Sequence, residues 1–310
     1  MSANIAFIFP GQGSQSVGML AELGAEQPLV IDTFTQASDV LGYDLWQLVQ
    51  QNTKGQLAQT QITQPALLTA SVALWRLWLQ QGGATPSILA GHSLGEYSAL
   101  VCAGALNFTD AVQLVEARGK FMQAAVPLGE GAMAAIIGLD DAAVSLACEA
   151  STQGQVVAPV NYNSPGQVVI AGAKLPVERA ILACKEAGAR ATISLPVSVP
   201  SHCELMIPAA NQLREKLERI NFNVPKIPVV QNVNAQVGLS TQAIVDKLVT
   251  QLYEPVLWSQ CVQAIAASGV ELVVECGPGK VLNGLTKRIN KTLKSASINS
   301  AALLAATLEH

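Results

Sequence analysis

One serine stands in a pattern that suits nucleophilic chemistry, Gly91-His92-Ser93-Leu94-Gly95, with an apolar run before it and a helical pattern after it. A serine on a sharp strand-to-helix turn presents its hydroxyl at the end of a sheet, and flanking glycines leave room for the backbone to make the turn. The helix start behind it supplies free N–H groups where negative charge develops. Five residues match by chance in many proteins, so the weight rests on the flanking elements. The alternative is a glycine-rich turn carrying an idle serine.

A serine hydroxyl needs a general base, usually histidine. The chain has three histidines. His310 belongs to Leu308-Glu309-His310, which looks like the start of a vector tag. His92 adjoins Ser93, and neighbouring side chains on a tight turn diverge. His202 remains, in the loop-like stretch Val199-Pro200-Ser201-His202. Cys203 beside it reads as a packing residue. No aspartate or glutamate stands out as the acid that orients the histidine, so a carbonyl is the expected orienting group.

Arg118 sits on the wrong face of its helix. Ala111, Leu114, Val115, Phe121, Met122 and Ala125 form an apolar stripe at helical spacing, and Arg118 falls inside it. A guanidinium aimed at the core needs an anion. Its pattern leaves two readings level: an internal pair with Glu96 or a side chain that snorkels out, and a bidentate site for a substrate carboxylate.

The elements that must position these groups alternate. Ile5–Phe9 and Ile88–Gly91 read as buried strands, Pro65–Gln81 and Leu94–Ala103 as helices, and Thr109 as the N-cap of a helix to Ala125. From Gly131 to Leu195 the order is strand, helix, strand, strand, helix, strand, with Asn163-Ser164-Pro165-Gly166 as the hairpin turn, which is the ferredoxin-like order. After Val199 come a helix near Glu204–Arg219, a strand at Val229–Asn232, helices at Thr241–Leu252 and Val256–Ser268, a strand at Glu271–Glu275, and a helix ending near Ile289. Strands and helices alternating on both sides of the insert predict a parallel, doubly wound sheet. The expected fold is therefore α/β, with a parallel-sheet large subdomain over 1–128 and 198–307, a ferredoxin-like insert over 129–197, and 308–310 set apart as a tag remnant.

Two more loops follow strands. Phe9-Pro10-Gly11-Gln12-Gly13-Ser14-Gln15 lies where ligands bind in such sheets, and a backbone N–H there can complete an oxyanion hole with the one after Ser93. Its glycines lack dinucleotide-binding spacing. Glu275-Cys276-Gly277-Pro278-Gly279-Lys280 lacks the Ser/Thr of a phosphate-binding loop and reads as a turn shaping the cleft.

Composition narrows the class. Half the residues are hydrophobic and only 13% are charged, which indicates a core-rich globular chain. The net charge of −4 and the lack of a basic cluster argue against nucleic acid. Apolar stretches are too short or interrupted to span a membrane, and Met1–Asn4 lacks a signal peptide's basic start. The six cysteines form no CxxC pair, which favours a reduced, cytoplasmic protein without disulfides or zinc.

These motifs, with Pro200-Ser201-His202, Gln251-Leu252-Tyr253 and Gly277-Pro278-Gly279-Lys280, occur in the order seen in the malonyl-CoA:acyl carrier protein transacylase family, which the chain resembles from Ile5 to about Ile289. The resemblance implies an α/β-hydrolase-like large subdomain with the ferredoxin-like insert. It implies that Ser93 carries malonyl from coenzyme A to the phosphopantetheine thiol of acyl carrier protein, with His202 as base and the Gln251 carbonyl orienting it. The amides of Gln12 and Leu94 become the oxyanion hole, and Arg118 the partner of the malonyl carboxylate. No bound cofactor is implied. Lys287, Arg288 and Lys291 become candidates for docking the typically acidic carrier. A discrete monomer is expected, supplying fatty-acid synthesis, with a second outlet to polyketide synthesis left open. Two competing readings are a serine esterase or thioesterase with the same turn, and a non-catalytic protein that binds acyl carrier protein or coenzyme A.

Overall fold

The structure is a computed structural model describing residues 4–197 and 199–309. The first three residues, the boundary at Ser198 and the terminal His310 lie outside that set, and with them part of the signal-peptide and tag readings.

The described strands are β1 (Ile5–Phe9), β2 (Ile88–Gly91), β3 (Gly131–Ile137), β4 (Val157–Ser164), β5 (Gln167–Ala173), β6 (Ala191–Ser194), β7 (Val229–Val230), β8 (Leu272–Glu275) and β9 (Lys294–Ser297). Five of them form one parallel sheet in the order β7-β2-β1-β8-β9. β1 is its centre, buried at every residue, because helices cover both faces. On one face Phe7 meets Trp75 and Trp78 edge-on, with ring centroids 5.4 and 5.2 Å away. Both tryptophans lie on the helix Thr60–Gln80. The other face packs against Trp258, Val262 and Leu285.

The loops leaving β1, β2 and β8 converge at the C-terminal edge of this sheet, where a doubly wound sheet holds its ligand. Their close approach excludes side chains. A Cβ on Gly277 would sit 2.4 Å from the Pro10 ring.

The second sheet is antiparallel, in the order β4-β5-β3-β6, which is the ferredoxin-like arrangement. Period-two alternation divides its faces. Ala134, Ile136, Val168 and Ile170 pack against the helices Asp141–Ser151 and Lys174–Glu186. Met133, Ala135, Val160 and Val169 face the other way. The exposed edge of β4 is covered by the large half: Val256 N–H bonds Val160 O at 2.9 Å, and Tyr162 N–H bonds Val256 O at 3.0 Å.

Several element boundaries differ from the sequence expectation. The Phe108–Ala125 helix is capped by Asn107, whose side chain takes the N–H and the hydroxyl of Thr109. The Thr60–Gln80 helix starts five residues before the expected Pro65. The stretch near Glu204–Arg219 is a 3-10 turn, Glu204–Met206, followed by the helix Ile207–Leu217, and Pro208 occupies that helix's first turn. β9 and the helix Ala301–Leu308 had no counterpart in the sequence reading, and Leu308 packs partly buried against the main core.

Candidate active site

β2 delivers the chain into the turn and the helix Leu94–Cys102 leaves it. Ser93 between them has φ 51° and ψ −106°, a conformation that non-glycine residues rarely adopt. The flanking glycines are obligatory for geometric reasons. A Cβ on Gly91 would fall 1.9 Å from the Gly95 carbonyl, and one on Gly95 would fall 2.0 Å from Phe9 O. Asn232, fully buried just after β7, clamps the turn at two points: its Oδ1 accepts Ser93 N–H at 2.7 Å and its Nδ2 donates to Gly91 O at 2.7 Å.

His202 reaches Ser93 from the far side of the cleft, with its Nε2 2.8 Å from Oγ. Its own φ is 65°, and its N–H is tied to Leu252 O at 2.9 Å. Its Nδ1 lies 2.5 Å from the carbonyl oxygen of Gln251, the C-cap of the helix Thr241–Thr250. A carbonyl only accepts, so Nδ1 bears the hydrogen and Nε2 is the free base facing the serine. Burial, then the Arg118 charge, pushes His202 down to about 3, which keeps it neutral at ordinary pH.

Arg118 is 1% exposed, and its hydrogen-bond partners among the described residues are neutral. It donates to Gln64 Oε1 at 2.9 Å, Gln251 Oε1 at 3.0 Å and Ser93 Oγ at 3.3 Å, and stacks over Tyr97 at 5.4 Å. Among the described residues no carboxylate lies within ion-pair distance of it. The direct Glu96 pair considered from the sequence is absent because the Gln251 amide stands between: its Nε2 donates to Glu96 Oε2 at 2.8 Å. Glu96 also accepts Asn232 N–H, and burial pushes it up to about 7.

Gln12 and Leu94 line the same cavity. Among the described residues neither passes its backbone N–H to an internal acceptor, and Leu94 opens its helix. His92 points away from Ser93 and bonds Asn163 Oδ1 at 2.8 Å. Cys203 is buried, donates to Pro200 O and has its thiol pushed up to about 12, so it is inert. The cavity holds about 290 Å³ between the parallel sheet's edge and the β3–β5 face of the insert. No described cluster has the make-up of a metal site. The sequence reading missed Gln64 and Asn232; the only available signals were a glutamine inside an apolar helix and a polar residue just past a parallel strand.

A parallel sheet with a serine–histidine pair at its edge, roofed by a ferredoxin-like sheet, suits chemistry through an acyl-serine, and residues 6–309 match the acyl transferase domain family, which makes the class an acyltransferase. The chain is 63% identical to the malonyl CoA-acyl carrier protein transacylase of Salmonella typhimurium over 98% of each, and 45% identical to that of Bacillus subtilis over 96% of this chain and 94% of the relative. An acyl carrier protein S-malonyltransferase from Vibrio cholerae superposes with TM-score 0.96 at 58% identity, covering 98% of this chain and 99% of that one. A malonyl-transacylase solved in complex with its type II polyketide acyl carrier protein gives TM-score 0.98 at 57% identity over 99% of each. The chain belongs to the malonyl-CoA–acyl carrier protein transacylases. These names support acyl transfer and not the esterase alternative.

Proposed function

We infer that this chain moves malonyl from coenzyme A to the pantetheine thiol of acyl carrier protein in two half-reactions through an ester on Ser93. His202 Nε2 takes the Ser93 proton as Oγ attacks the thioester carbonyl. The amides of Gln12 and Leu94 hold the oxyanion. The C–S bond breaks, and His202 returns its proton to the departing thiolate. The carrier's thiol then gives its proton to His202 and attacks the ester carbonyl, and as the ester C–O bond breaks His202 returns that proton to Ser93 Oγ. The Gln251 carbonyl stabilises the imidazolium that forms between the two transfers.

Arg118 carries the assignment to a dicarboxylic acyl group. It is a buried cation with three neutral acceptors, beside the nucleophile. A malonyl carboxylate supplies the missing charge and a bidentate fit. The reaction needs no further bound cofactor, and the enzyme acts as a cytoplasmic monomer. Residues 129–197 act as the inserted subdomain that roofs the cleft. Lys287, on the helix whose Leu282 and Leu285 line the cavity, and Lys291 after that helix are both exposed and offer positive charge to an acidic carrier.

Intact-protein mass after brief exposure to malonyl-CoA or acetyl-CoA tests this. One malonyl adduct is expected, absent in Ser93→Ala and discharged by holo acyl carrier protein. In Arg118→Ala the malonyl preference should fall by about 100-fold, the scale of a buried charge pair losing a partner. An adduct that vanishes in buffer alone marks a thioesterase, and an adduct surviving Ser93→Ala removes the nucleophile assignment.

A further inference from the structure

Malonyl-CoA and the carrier protein share one chemical part, the pantetheine arm, and both must thread it to Ser93. That arm contains two secondary amides, each a donor and an acceptor that lose water on entry. The insert's side of the cavity is mostly apolar, with Met133, Ala135, Val169 and Val197. An amide stranded against that surface has nothing to bond.

Asn161 interrupts the apolar wall. It lies on β4 and lines the cavity, and it is 6% exposed. Its side chain takes no hydrogen bond among the described residues, and its Nδ2 is buried without an acceptor. Buried primary amides are almost always paired, so an orphan at a cavity wall marks a place where something else bonds. The backbone there is also irregular: the β4–β5 register shifts between Pro159 and Asn161 and again between Tyr162 and Ser164. Bulges of this kind re-aim side chains beside functional sites. Asn163, two residues on, is already engaged by His92, which leaves Asn161 as the free amide of the pair.

We propose that Asn161 is the amide-recognition point for the pantetheine arm, pairing its side-chain amide reciprocally with one secondary amide of the arm in both half-reactions. The proposal rests on the malonyl-transfer reading and names the subsite that makes one cleft serve two thiols. The ligand class is a secondary amide in an extended thiol arm, whatever stands at the arm's far end.

The test compares two malonyl donors, malonyl-CoA and malonyl ethanethiol ester, which has no amide. In Asn161→Leu, KM for malonyl-CoA should rise about tenfold with kcat nearly unchanged, the scale of one hydrogen bond to a desolvated amide. The amide-free ester should react as with the unsubstituted chain. Asn161→Ser, which keeps a donor and acceptor in less volume, should recover part of the loss. Equal losses for both donors indicate a merely structural residue and overturn the proposal, as does an unchanged KM for malonyl-CoA. If the unsubstituted chain forms no malonyl ester with either donor, the transfer reading itself fails and takes this subsite with it.

Discussion

Gln251 holds both His202 and Arg118, with different parts of one residue. Its main-chain carbonyl fixes the tautomer of His202, and its side chain accepts from Arg118 and donates to Ser93 O and Glu96. His202 therefore shares its surroundings with a cation, and that cation helps to depress its pKa to about 3. The sign of the effect on catalysis follows. In the free enzyme His202 stays unprotonated as pH falls through 6.5, the usual histidine value, so kcat/KM for acylation should show no acid limb there. On the proposed reaction, a malonyl carboxylate paired with Arg118 would cancel part of the positive field and make the histidine easier to protonate. The acid limb of kcat should thus lie at higher pH than that of kcat/KM. Rapid-mixing measurement of coenzyme A release from about pH 3 to 8 checks this. Coincident limbs would mean that the Arg118 charge is not neutralised by substrate. The same depressed pKa works against stability in acid: the unfolded histidine takes up a proton below about 6.5 and the folded one does not, so folding weakens from there down towards pH 3.

At the scale of elements, the turn carrying Ser93 is strained and Asn232 holds it. One buried side chain closes both Gly91 O and Ser93 N–H, and its own N–H rests on Glu96. Asn232→Ala leaves a buried donor and a buried acceptor unpaired, which costs about 2–3 kcal/mol, and lets φ of Ser93 relax. The expected outcome is a lower melting temperature together with a roughly 100-fold slower acylation burst at unchanged KM. A drop in stability with an unaltered burst would leave Asn232 as scaffold only. The sequence announced the turn because its glycines are required locally, within five residues. It could not announce Asn232, whose contacts with the turn span 139 and 141 positions, or Gln64, which is 54 positions from Arg118. The same distinction separates the elements that the sequence marks from those it does not. The β-α-β-β-α-β order of the insert is written in apolar periodicity, so it was legible. β9, Lys-Ser-Ala-Ser, is a polar edge strand paired on one side only, and no periodicity marks it. Asn107 and Thr109 are both good caps, and side-chain geometry chose between them.

At the scale of the whole molecule, the cavity exists only because two sheets of different kinds face each other, and specific contacts hold them in register. Val256 extends the edge of β4, Arg288 donates to Gln167 Oε1 at 2.6 Å, and His92 meets Asn163 at 2.8 Å. The last joins the residue beside Ser93 to the insert. Burial depresses the His92 pKa, so the ring is neutral, and with Asn163 Oδ1 as the acceptor its Nε2 is the donor. Removing that acceptor strands a buried N–H, while the parallel sheet keeps all its own pairings. Asn163→Ala should therefore loosen the roof without loosening the floor. Amide hydrogen exchange should accelerate in β4 and β5 and stay slow in β1 and β2. Because Asn163 also lines the cavity, KM for malonyl-CoA should rise several-fold, with the stoichiometry of the Ser93 ester unchanged. Exchange rising equally in both sheets would show one cooperative unit instead, and the contact would then be part of a common core and not a latch between two halves.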